Sequence, residues 1–459
     1  MVLSYPVKRR KTVRKILAFF CLAALSLSLI SCAPASKEGG PVTLNMWVMP
    51  NSLEPLKDIE EALKPFEESN PNIKIKITVV DWGAAWSKIT TAATSRDVPD
   101  IAQLGSTWVG SISSMGALLD LKDKELELGG ADSFVPAAWK TSGVADSGQI
   151  TAVPWIVDAR ALFYRTDVFK KLNLSSKDLE TWDGFKNTLK KIKEAKLTIE
   201  GLEIFPLGMP GKNDWNVVHN LSPWIWSAGG DYLAKDNKSS AVSSTQALDG
   251  VSFYINLAKE GLVPSEYLEL NTAQVSSNFN NGSVAMMFDG PYEVRTLTTP
   301  PAQGGASESI TARNYAVVPY PKGPKGKYTF VGGSNLAIFK YSNHKEEAFK
   351  VVKYLTTDTN AQLTYCKASG FLPAKLSVFN EPFFSVDPAR RVFKEAIKYG
   401  KSYPCVSFWG ILEPMLTRRF GILWDYVTGS KDTVLDKNEI AKQLDLAKKE
   451  MEIIIQQGK

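Results

Sequence analysis

Histidine and cysteine are scarce in this chain, and the motifs that use them for chemistry are missing. The 459 residues include two isolated histidines, His219 and His344, and four cysteines. The sequence contains neither CxxC nor HExxH, so it gives no signal for a zinc site. A nucleophile elbow, a P-loop and a GxGxxG fingerprint are missing as well. We therefore predict no metal site and no cofactor.

An excess of positive charge is also lacking once the N-terminal leader is set aside. The whole chain carries a formal net charge of +6, but residues 1–31 hold six Lys and Arg and no acidic residue. The remainder is therefore neutral. A neutral chain offers no electrostatic argument for nucleic acid as a partner. The remainder is also long enough for two or more hydrophobic cores of ordinary domain size.

The leader itself has the pattern of a secretory signal. Its basic residues precede an apolar segment, residues 16–30, which is too short to span a bilayer comfortably. The segment runs into Leu-Ile-Ser-Cys, ending at Cys32. This arrangement is typical of bacterial lipoproteins, in which cleavage leaves an acylated cysteine at the new N-terminus. We predict a lipoprotein signal peptide over residues 1–31, lipidation of Cys32, and a flexible tether over residues 32–41. The alternatives are an ordinary signal peptide and an uncleaved helix.

Two cysteines remain after the leader and the lipidation site are excluded. Cys21 is removed with the signal peptide, and Cys366 and Cys405 are left in the folded part. Outside the cytoplasm these two thiols could pair as a disulfide, which would contribute about 3–4 kcal/mol in the chain-entropy description. Two free buried thiols are the alternative, and the sequence leaves both open.

Strand-like and helix-like segments alternate after the tether. Alternating or continuous apolar runs predict strands over residues 42–48, 73–80 and 99–104. Apolar residues at helical spacing predict a helix over residues 56–66 and another around residues 86–93. This β-α-β-α-β alternation indicates parallel strands covered by helices. The predicted fold class is therefore α/β.

One stretch, FNNGSVAMMFDGPY at residues 279–292, combines a turn, a strand and a strand stop. Asn and Gly favour a turn over residues 279–283. The apolar run at residues 284–288 predicts a strand buried on both faces. Gly and Pro then end the strand, which leaves Asp289 and Tyr292 at its end. In open α/β sheets, small ligands bind at such strand ends.

Several separated motifs together carry a family resemblance. They are PDI at 99–101 with LLDL at 118–121, PWIVD at 154–158 with ALFYRTD at 161–167, TWD at 181–183, the stretch 279–292, GGSNLAI at 332–338 and GFLPA at 370–374. With these motifs the chain resembles the extracellular solute-binding proteins of ABC importers, in particular the sugar-binding group that includes the maltose-binding proteins. Each motif alone is weak evidence for this family, but the motifs together, in this order and behind a lipoprotein signal, are specific to it.

The resemblance implies a two-lobe fold of the periplasmic-binding-protein type II class. Strands that cross between the lobes, near residues 155–160, 286–291 and 334–340, would join them, and sugar would bind in the cleft between lobes that close by hinge bending. The expected division gives residues 42–156 and 289–337 to the N-terminal lobe, and residues 157–288 and 338–459 to the C-terminal lobe.

The resemblance also implies a set of ligand-binding residues. Aromatic rings stack on the C–H faces of sugars, and carboxylates, amides and guanidinium groups bind the hydroxyls. Asp158 is expected to bind hydroxyls, and Tyr292 and Trp409 are expected to stack on the sugar. The other expected ligand-binding residues are Asp81, Trp82, Thr107, Trp108, Arg160, Trp215, Asn216, Asp289, Gly333 and Ser334. The tryptophans expected to lie in the core are Trp47, Trp86, Trp182 and Trp424.

The implied function is a lipid-anchored substrate-binding protein of an ABC transporter. It would capture a mono- or oligosaccharide by cleft closure and deliver it to the permease subunits, as a monomer facing the periplasm or the cell exterior. A secreted glycosidase, with Asp158 and Asp289 as acid and base about 5–9.5 Å apart, is an alternative. A binder of another solute is a second alternative, although neutrality argues against polyamines, and Arg160 is the one evident candidate for a phosphate. A sensor input cannot be separated from transport by sequence.

Overall fold

The computed structural model describes residues 40–214, 216–431 and 434–458. The predicted signal peptide, the lipidation site at Cys32 and nearly all of the tether lie outside these residues, as does Trp215. Thr43–Lys459 form one compact unit. Within the described ranges, no helix combines the length and the apolar character that a bilayer span requires.

Strands and helices alternate along most of the described chain. The strands are β1 Val42–Val48, β2 Ile73–Val79, β3 Ile101–Gly105, β4 Val153–Ala159, β5 Ala161–Arg165, β6 Thr198–Ile199, β7 Leu202–Glu203, β8 Phe205–Gly208, β9 Val284–Asp289, β10 Tyr315–Val318, β11 Thr329–Ile338, β12 Leu372–Pro373 and β13 Gly400–Lys401. The α-helices are α1 Pro55–Ser69, α2 Trp82–Ser95, α3 Val109–Ser114, α4 Pro136–Trp139, α5 Thr166–Lys171, α6 Trp182–Ala195, α7 Val217–Ser227, α8 Thr245–Lys259, α9 Thr272–Asn281, α10 Tyr292–Thr298, α11 Ile310–Arg313, α12 Lys345–Thr357, α13 Thr359–Ser369, α14 Pro382–Ser385, α15 Pro388–Ala396, α16 Trp409–Val427 and α17 Lys437–Gln457.

The larger sheet has the strand order β12-β4-β11-β3-β1-β2, with β13 beside β11. Strand β1 runs parallel to β3, and β11 lies antiparallel between β3 and β4. Helices α1 and α2 follow β1 and β2, so the predicted β-α-β-α-β opening is confirmed. Helix α1 buries Ile59, Leu63 and Phe66, one stripe at helical spacing. Strand β3 is buried along its whole length because both of its neighbours and the covering helices exclude water from it.

The smaller sheet has the strand order β10-β5-β9-β8. Strand β9 runs parallel to β8 and antiparallel to β5, and Val284–Met287 are buried, as the sequence predicts. The core around this smaller sheet is rich in aromatic side chains. The Trp224 ring on α7 meets Phe288 of β9 edge-on, with centroids 5.5 Å apart. The same ring stacks on Phe185 of α6 at 5.9 Å. The two sheets with their helices make the two α/β lobes that the resemblance implies.

The chain changes sheets at Arg160. Strand β4 ends at Ala159 in the larger sheet, and β5 starts at Ala161 in the smaller one. The chain returns to the larger sheet between β10 and β11. Strand β10 pairs with β5, whereas β11 pairs with β3 and β4. Strand β10 therefore belongs to the smaller sheet, although we expected residues 289–337 in the N-terminal lobe. Helices α12 and α13 pack on β11, β4 and α1, whereas residues 338–459 were expected in the C-terminal lobe. The division into exact residue ranges stays a prediction.

Two local expectations need correction. Residues 279–281, predicted as a turn, are the last residues of α9, and the turn begins at Gly282, whose φ is +95°. The helix starts with a capping box between Asn271 and Gln274, which satisfies the first backbone donors and stabilises the helix. The possible disulfide is also contradicted. Cys366 lies in α13 and Cys405 packs in the core of the larger sheet, and both are buried free thiols.

Candidate functional site

A cavity of about 900 Å³ lies between the two lobes. Its lining comes partly from the larger sheet and its helices, through α2, the turn after β3, and strands β4 and β11. The opposite wall comes from the loop at residues 212–213, from α7 and from α16. Such a volume, mostly apolar with a few polar groups, is typical of small-molecule sites.

Three tryptophans form one wall of the cavity. Trp82 and Trp86 lie one turn apart on α2, and Trp108 lies in the turn after β3. The Trp108 ring meets Trp82 edge-on at 5.6 Å and Trp86 edge-on at 5.7 Å. Trp82 is 37% exposed. Edge-to-face contacts hold the rings at steep angles to each other, so this wall offers apolar faces in more than one direction.

A close approach between the backbones of β11 and β4 shapes the wall beside these rings. Gly333 in β11 has φ +124°, and a Cβ there would stand 2.1 Å from the carbonyl oxygen of Ile156. The Gly333 carbonyl accepts a hydrogen bond from the Ser106 amide at 3.0 Å. Glycine therefore allows β11 to lie against β4 at the point where both border the cavity.

The floor of the cavity joins the two walls. Asp158 of β4 lies opposite Gly332 of β11 in the sheet register. Two residues earlier on β11, Phe330 stacks on the His219 ring of α7, with centroids 4.1 Å apart and planes 6° apart. Burial and the nearby charge of Arg160 lower the pKa of His219 to about 3. This imidazole is therefore neutral at physiological pH.

Glu413 of α16 brings a buried carboxyl group to the cavity. Its Oε2 accepts a hydrogen bond from Trp409 Nε1 at 3.0 Å, and its Oε1 lies 3.4 Å from His219 Nε2. Burial raises the pKa of Glu413 to about 7, although hydrogen bonds from Thr107 and Trp409 oppose the rise. Thr107 belongs to the opposite wall, so Glu413 faces that wall across the cavity.

Arg160 holds a buried polar network where the chain changes sheets. Its Nη2 lies 2.9 Å from Asp158 Oδ2 and its Nη1 lies 3.1 Å from Asp289 Oδ1. The same guanidinium donates to Tyr292 Oη at 2.7 Å and to Asn216 Oδ1 at 3.3 Å. Five of the expected ligand-binding residues therefore contact one another. Of the five, Asp158 borders the cavity.

Electrostatics in this network are dominated by burial. Burial raises the pKa of Asp158 to about 6, with the Arg160 charge lowering it and the Asp289 charge raising it. Burial also raises the pKa of Tyr292 well above its ordinary value. The Tyr292 hydroxyl donates to the Asp289 carboxylate, so the hydroxyl proton of Tyr292 is already engaged in a hydrogen bond.

The expected ligand-binding residues divide into three groups. Those that border the cavity are Trp82, Thr107, Trp108, Asp158 and Gly333. Those that are not among its lining residues are Asp81, Arg160, Asn216, Asp289, Tyr292, Ser334 and Trp409. Asp81 caps α2 by accepting from the Gly83 amide at 2.8 Å, and Ser334 accepts from Gln103 at 2.7 Å. Trp409 is 1% exposed and stacks on Tyr403 at 4.3 Å. Trp215 lies outside the described residues.

Other lining residues are not predicted from the sequence. Trp86, expected in the core, shares the cavity wall with Trp82, and their i, i+4 spacing on one helix is a signal that could have found it. Glu413, His219, Lys212 and Arg418 carry no motif. They come from two segments about 200 residues apart in sequence, and the packing of α7 against α16 brings these segments together.

Comparison with known proteins identifies relatives along most of the chain. Residues 51–362 match the family described as "Bacterial extracellular solute-binding protein". The diacetylchitobiose binding protein DasA of Streptomyces coelicolor is 26% identical over 413 residues, which cover 87% of this chain and 91% of that protein. A galactooligosaccharide-binding protein of Bacillus subtilis is 22% identical over 409 residues, which cover 86% and 88% of the two chains.

Solved structures share the fold. The sugar-binding protein MalE of Xanthomonas citri aligns with a TM-score of 0.73 at 23% identity, over 91% of this chain and 98% of that one. The GacH receptor of Streptomyces glaucescens aligns with a TM-score of 0.73 at 22% identity, over 91% and 99%. The two-lobe fold is thus confirmed. Since the family match covers well over half of its residues, the chain belongs to the bacterial extracellular solute-binding protein family.

Proposed function

We propose that this protein is the substrate-binding component of an ABC importer and that its ligand is a carbohydrate. The observation that carries the proposal is the cavity between the lobes, where Trp82, Trp86 and Trp108 form one wall and the carboxyl groups of Asp158 and Glu413 lie on the floor and the other wall. Aromatic faces suit the C–H surfaces of a sugar ring, and buried carboxylates suit its hydroxyl groups. The names of the relatives, which include binding proteins for diacetylchitobiose and galactooligosaccharide, support the same class of ligand.

The binding cycle follows from the two-lobe fold. Open lobes would admit the sugar, and closure would shift toward the liganded state because the ligand contacts both walls only when the lobes are closed. The closed form would then present itself to the permease subunits. Lipidation of Cys32 would hold the protein at the outer face of a membrane, with residues 32–41 as the tether. Cleft closure, delivery to the permease and the lipid anchor are all parts of this proposal.

A catalytic role has less support than a binding role. Asp289, the proposed partner of Asp158 in a glycosidase, is fully buried and engaged by Arg160, Tyr292, Ser276 and the Gly290 amide. A carboxylate in that position does not reach a bond in the cavity. We therefore propose that the protein binds its ligand without chemical conversion.

A ligand screen tests the proposed function. Residues 33–459 would be screened by thermal shift against neutral, acidic and amino sugars and against peptides and polyamines, and hits would be measured by calorimetry. A ligand at 100 times its dissociation constant adds about 2.7 kcal/mol to the free energy of unfolding. A sugar bound with 1:1 stoichiometry and recovered intact would support the proposal. Binding of a peptide or polyamine alone, or release of a cleaved sugar, would overturn it.

A further inference from the structure

The cavity carries unbalanced acidic groups on its inner surface. Asp158 lies on the floor and Glu413 lies on the wall formed by α16. The nearest cation to Asp158 is Arg160, which also pairs with Asp289. One guanidinium thus faces two carboxylates, and neither of these ion pairs includes Glu413. This inner region therefore has a deficit of basic side chains relative to acidic ones.

The two basic side chains among the described residues of the cavity lining do not fill this deficit. Lys212 lies 2.9 Å from Asp425 and 3.2 Å from Glu269. Arg418 lies 2.7 Å from Glu450. Each cation is thus already engaged by acidic groups near the edge of the cavity, and Asp425 itself adds to the acidic lining.

The groups around Glu413 are polar but bring no charge. Its neighbours are the Trp409 indole at 3.0 Å, the neutral His219 imidazole at 3.4 Å, and Thr107 from the opposite wall. Neutral donors stabilise a buried carboxylate less than a cation does. A ligand cation in contact with Glu413 would therefore gain a charge-assisted interaction that the protein itself does not supply.

Asp158 offers a second, independent indication. The residue is 7% exposed, and its Oδ1 accepts no hydrogen bond from the described residues. Buried acceptors without a donor are rare in native proteins. This oxygen lies toward Gly290, where a Cβ would stand 2.7 Å from it. Asp158 borders the cavity, so a donor on the ligand would complete this oxygen once the carboxyl group turns toward the cavity.

The aromatic wall is compatible with the same ligand. The faces of tryptophan rings attract cations as well as C–H groups. Trp82, Trp86 and Trp108 line the same cavity as Asp158 and Glu413. A ring-shaped ligand with one ammonium group would satisfy both the aromatic wall and the acidic floor.

We propose that the ligand is an amino sugar whose amine is free and protonated, and that Glu413 is the specificity-determining residue that binds the ammonium group. The inference rests on the proposed function, since it names one class of carbohydrate for the same cavity. The ammonium group would donate to Glu413, and also to Asp158 once that carboxyl group turns toward the cavity. Neutral sugars of the same shape would keep the stacking but lose the charge-assisted contacts.

Matched sugars test the inference. Glucose, N-acetylglucosamine and glucosamine, the corresponding galactose series, and the dimers and trimers of each would be compared by calorimetry near neutral pH. We expect the free-amine form to bind at least about tenfold more tightly than its neutral counterparts, the usual gain from one charge-assisted bond. In Glu413→Gln this preference should fall toward one. Glu395→Gln, which removes an exposed carboxylate paired with Lys398, should keep it.

The outcomes separate the two proposals. A free-amine preference that Glu413→Gln removes supports the amino-sugar ligand. Equal or tighter binding of the neutral forms overturns this inference and leaves the carbohydrate-binding function standing. A free-amine preference that survives in Glu413→Gln overturns the role of Glu413. Binding of none of the sugars overturns both proposals. Circular dichroism and the melting temperature would confirm that each variant is folded.

Discussion

Arg160 and Asp289 form a buried ion pair, 3.1 Å between Nη1 and Oδ1, that links the end of one sheet to the end of a strand in the other. Arg160 is the residue between β4 and β5, and Asp289 is the last residue of β9. The same guanidinium pairs with Asp158 at 2.9 Å. One side chain therefore fixes the geometry of the first crossing between the lobes and also the position of a cavity carboxylate.

Removing Arg160 should destabilise the fold strongly. Arg160→Met leaves two buried carboxylates without their cation, and the loss of one partner of a buried ion pair costs about 3–5 kcal/mol. Urea unfolding would measure the change. The triple variant with Asp158→Asn and Asp289→Asn should recover part of the loss, because no buried charge is then unpaired. Lys398→Met, at an exposed pair, should change stability by less than about 0.5 kcal/mol. Equal effects of the Arg160 and Lys398 variants would contradict the assignment.

Two tryptophans should respond differently to truncation. Trp108→Ala removes an aromatic face from the cavity wall and should weaken ligand binding by about 2 kcal/mol with the protein still folded. Trp409→Ala removes a fully buried ring that stacks on Tyr403, so it should lower stability by about 3–5 kcal/mol. Calorimetry with the ligand found in the screen and urea unfolding would be run on both variants. Loss of affinity in Trp409→Ala without loss of stability would contradict a mainly structural role for this ring.

Gly333 should tolerate no side chain. Gly333→Ala would place a methyl group 2.1 Å from the Ile156 carbonyl oxygen at a positive φ, so β11 and β4 would have to separate. We expect a loss of at least about 2 kcal/mol. Gly421→Ala is the matched control, since its Cβ would meet its nearest neighbour at 3.5 Å in a helix, and alanine favours helices by about 1 kcal/mol. Comparable stabilities of the two variants would show that the strand contact is not tight.

The buried carboxyls predict how stability depends on pH. In the folded protein the pKa of Glu413 rises from 4.5 to about 7 and that of Asp158 from 3.8 to about 6, both through burial. Between about pH 4 and 7 the folded state therefore holds protons that the unfolded chain has released, and these two groups lower stability as pH rises through this window. Urea unfolding of the ligand-free protein would be measured from pH 4.5 to 8. The fall in stability with rising pH should be smaller in Glu413→Gln than in the unaltered protein. Parallel pH profiles for the two proteins would contradict a raised pKa at Glu413.

The two thiols should be inaccessible in the folded protein and free in the unfolded one. Residues 33–459 contain Cys366 and Cys405 as their cysteines, and both are buried and unpaired. Burial raises the pKa of Cys405 to about 12, so little thiolate is present to react. A thiol reagent should find almost none in the native state and two after denaturation without reductant. Fewer than two after denaturation would indicate a disulfide.

Much of the fold was predictable because it depends on short-range patterns. Apolar periodicity located β1, β2, β9 and α1, and Gly and Pro marked where strands end. The helix over residues 272–281 was missed, since the two asparagines before Gly282 look like a turn unless the capping box at Asn271 is weighed. The disulfide question was open for a different reason, because thiol pairing depends on a distance between residues that are far apart in sequence.

The sequence by itself determined the alternation of elements, the family motifs and which polar residues stand at strand ends. Only the tertiary structure decided which of those residues face the cavity. Arg160 and Asp289 are 129 positions apart, and their pairing draws Tyr292 and Asn216 into a buried network and away from the cleft. Trp86 borders the cavity and Trp409 lies behind it because α2 and α16 approach from opposite lobes. Contact across such separations depends on the packing of whole lobes, and no local pattern of residues encodes it.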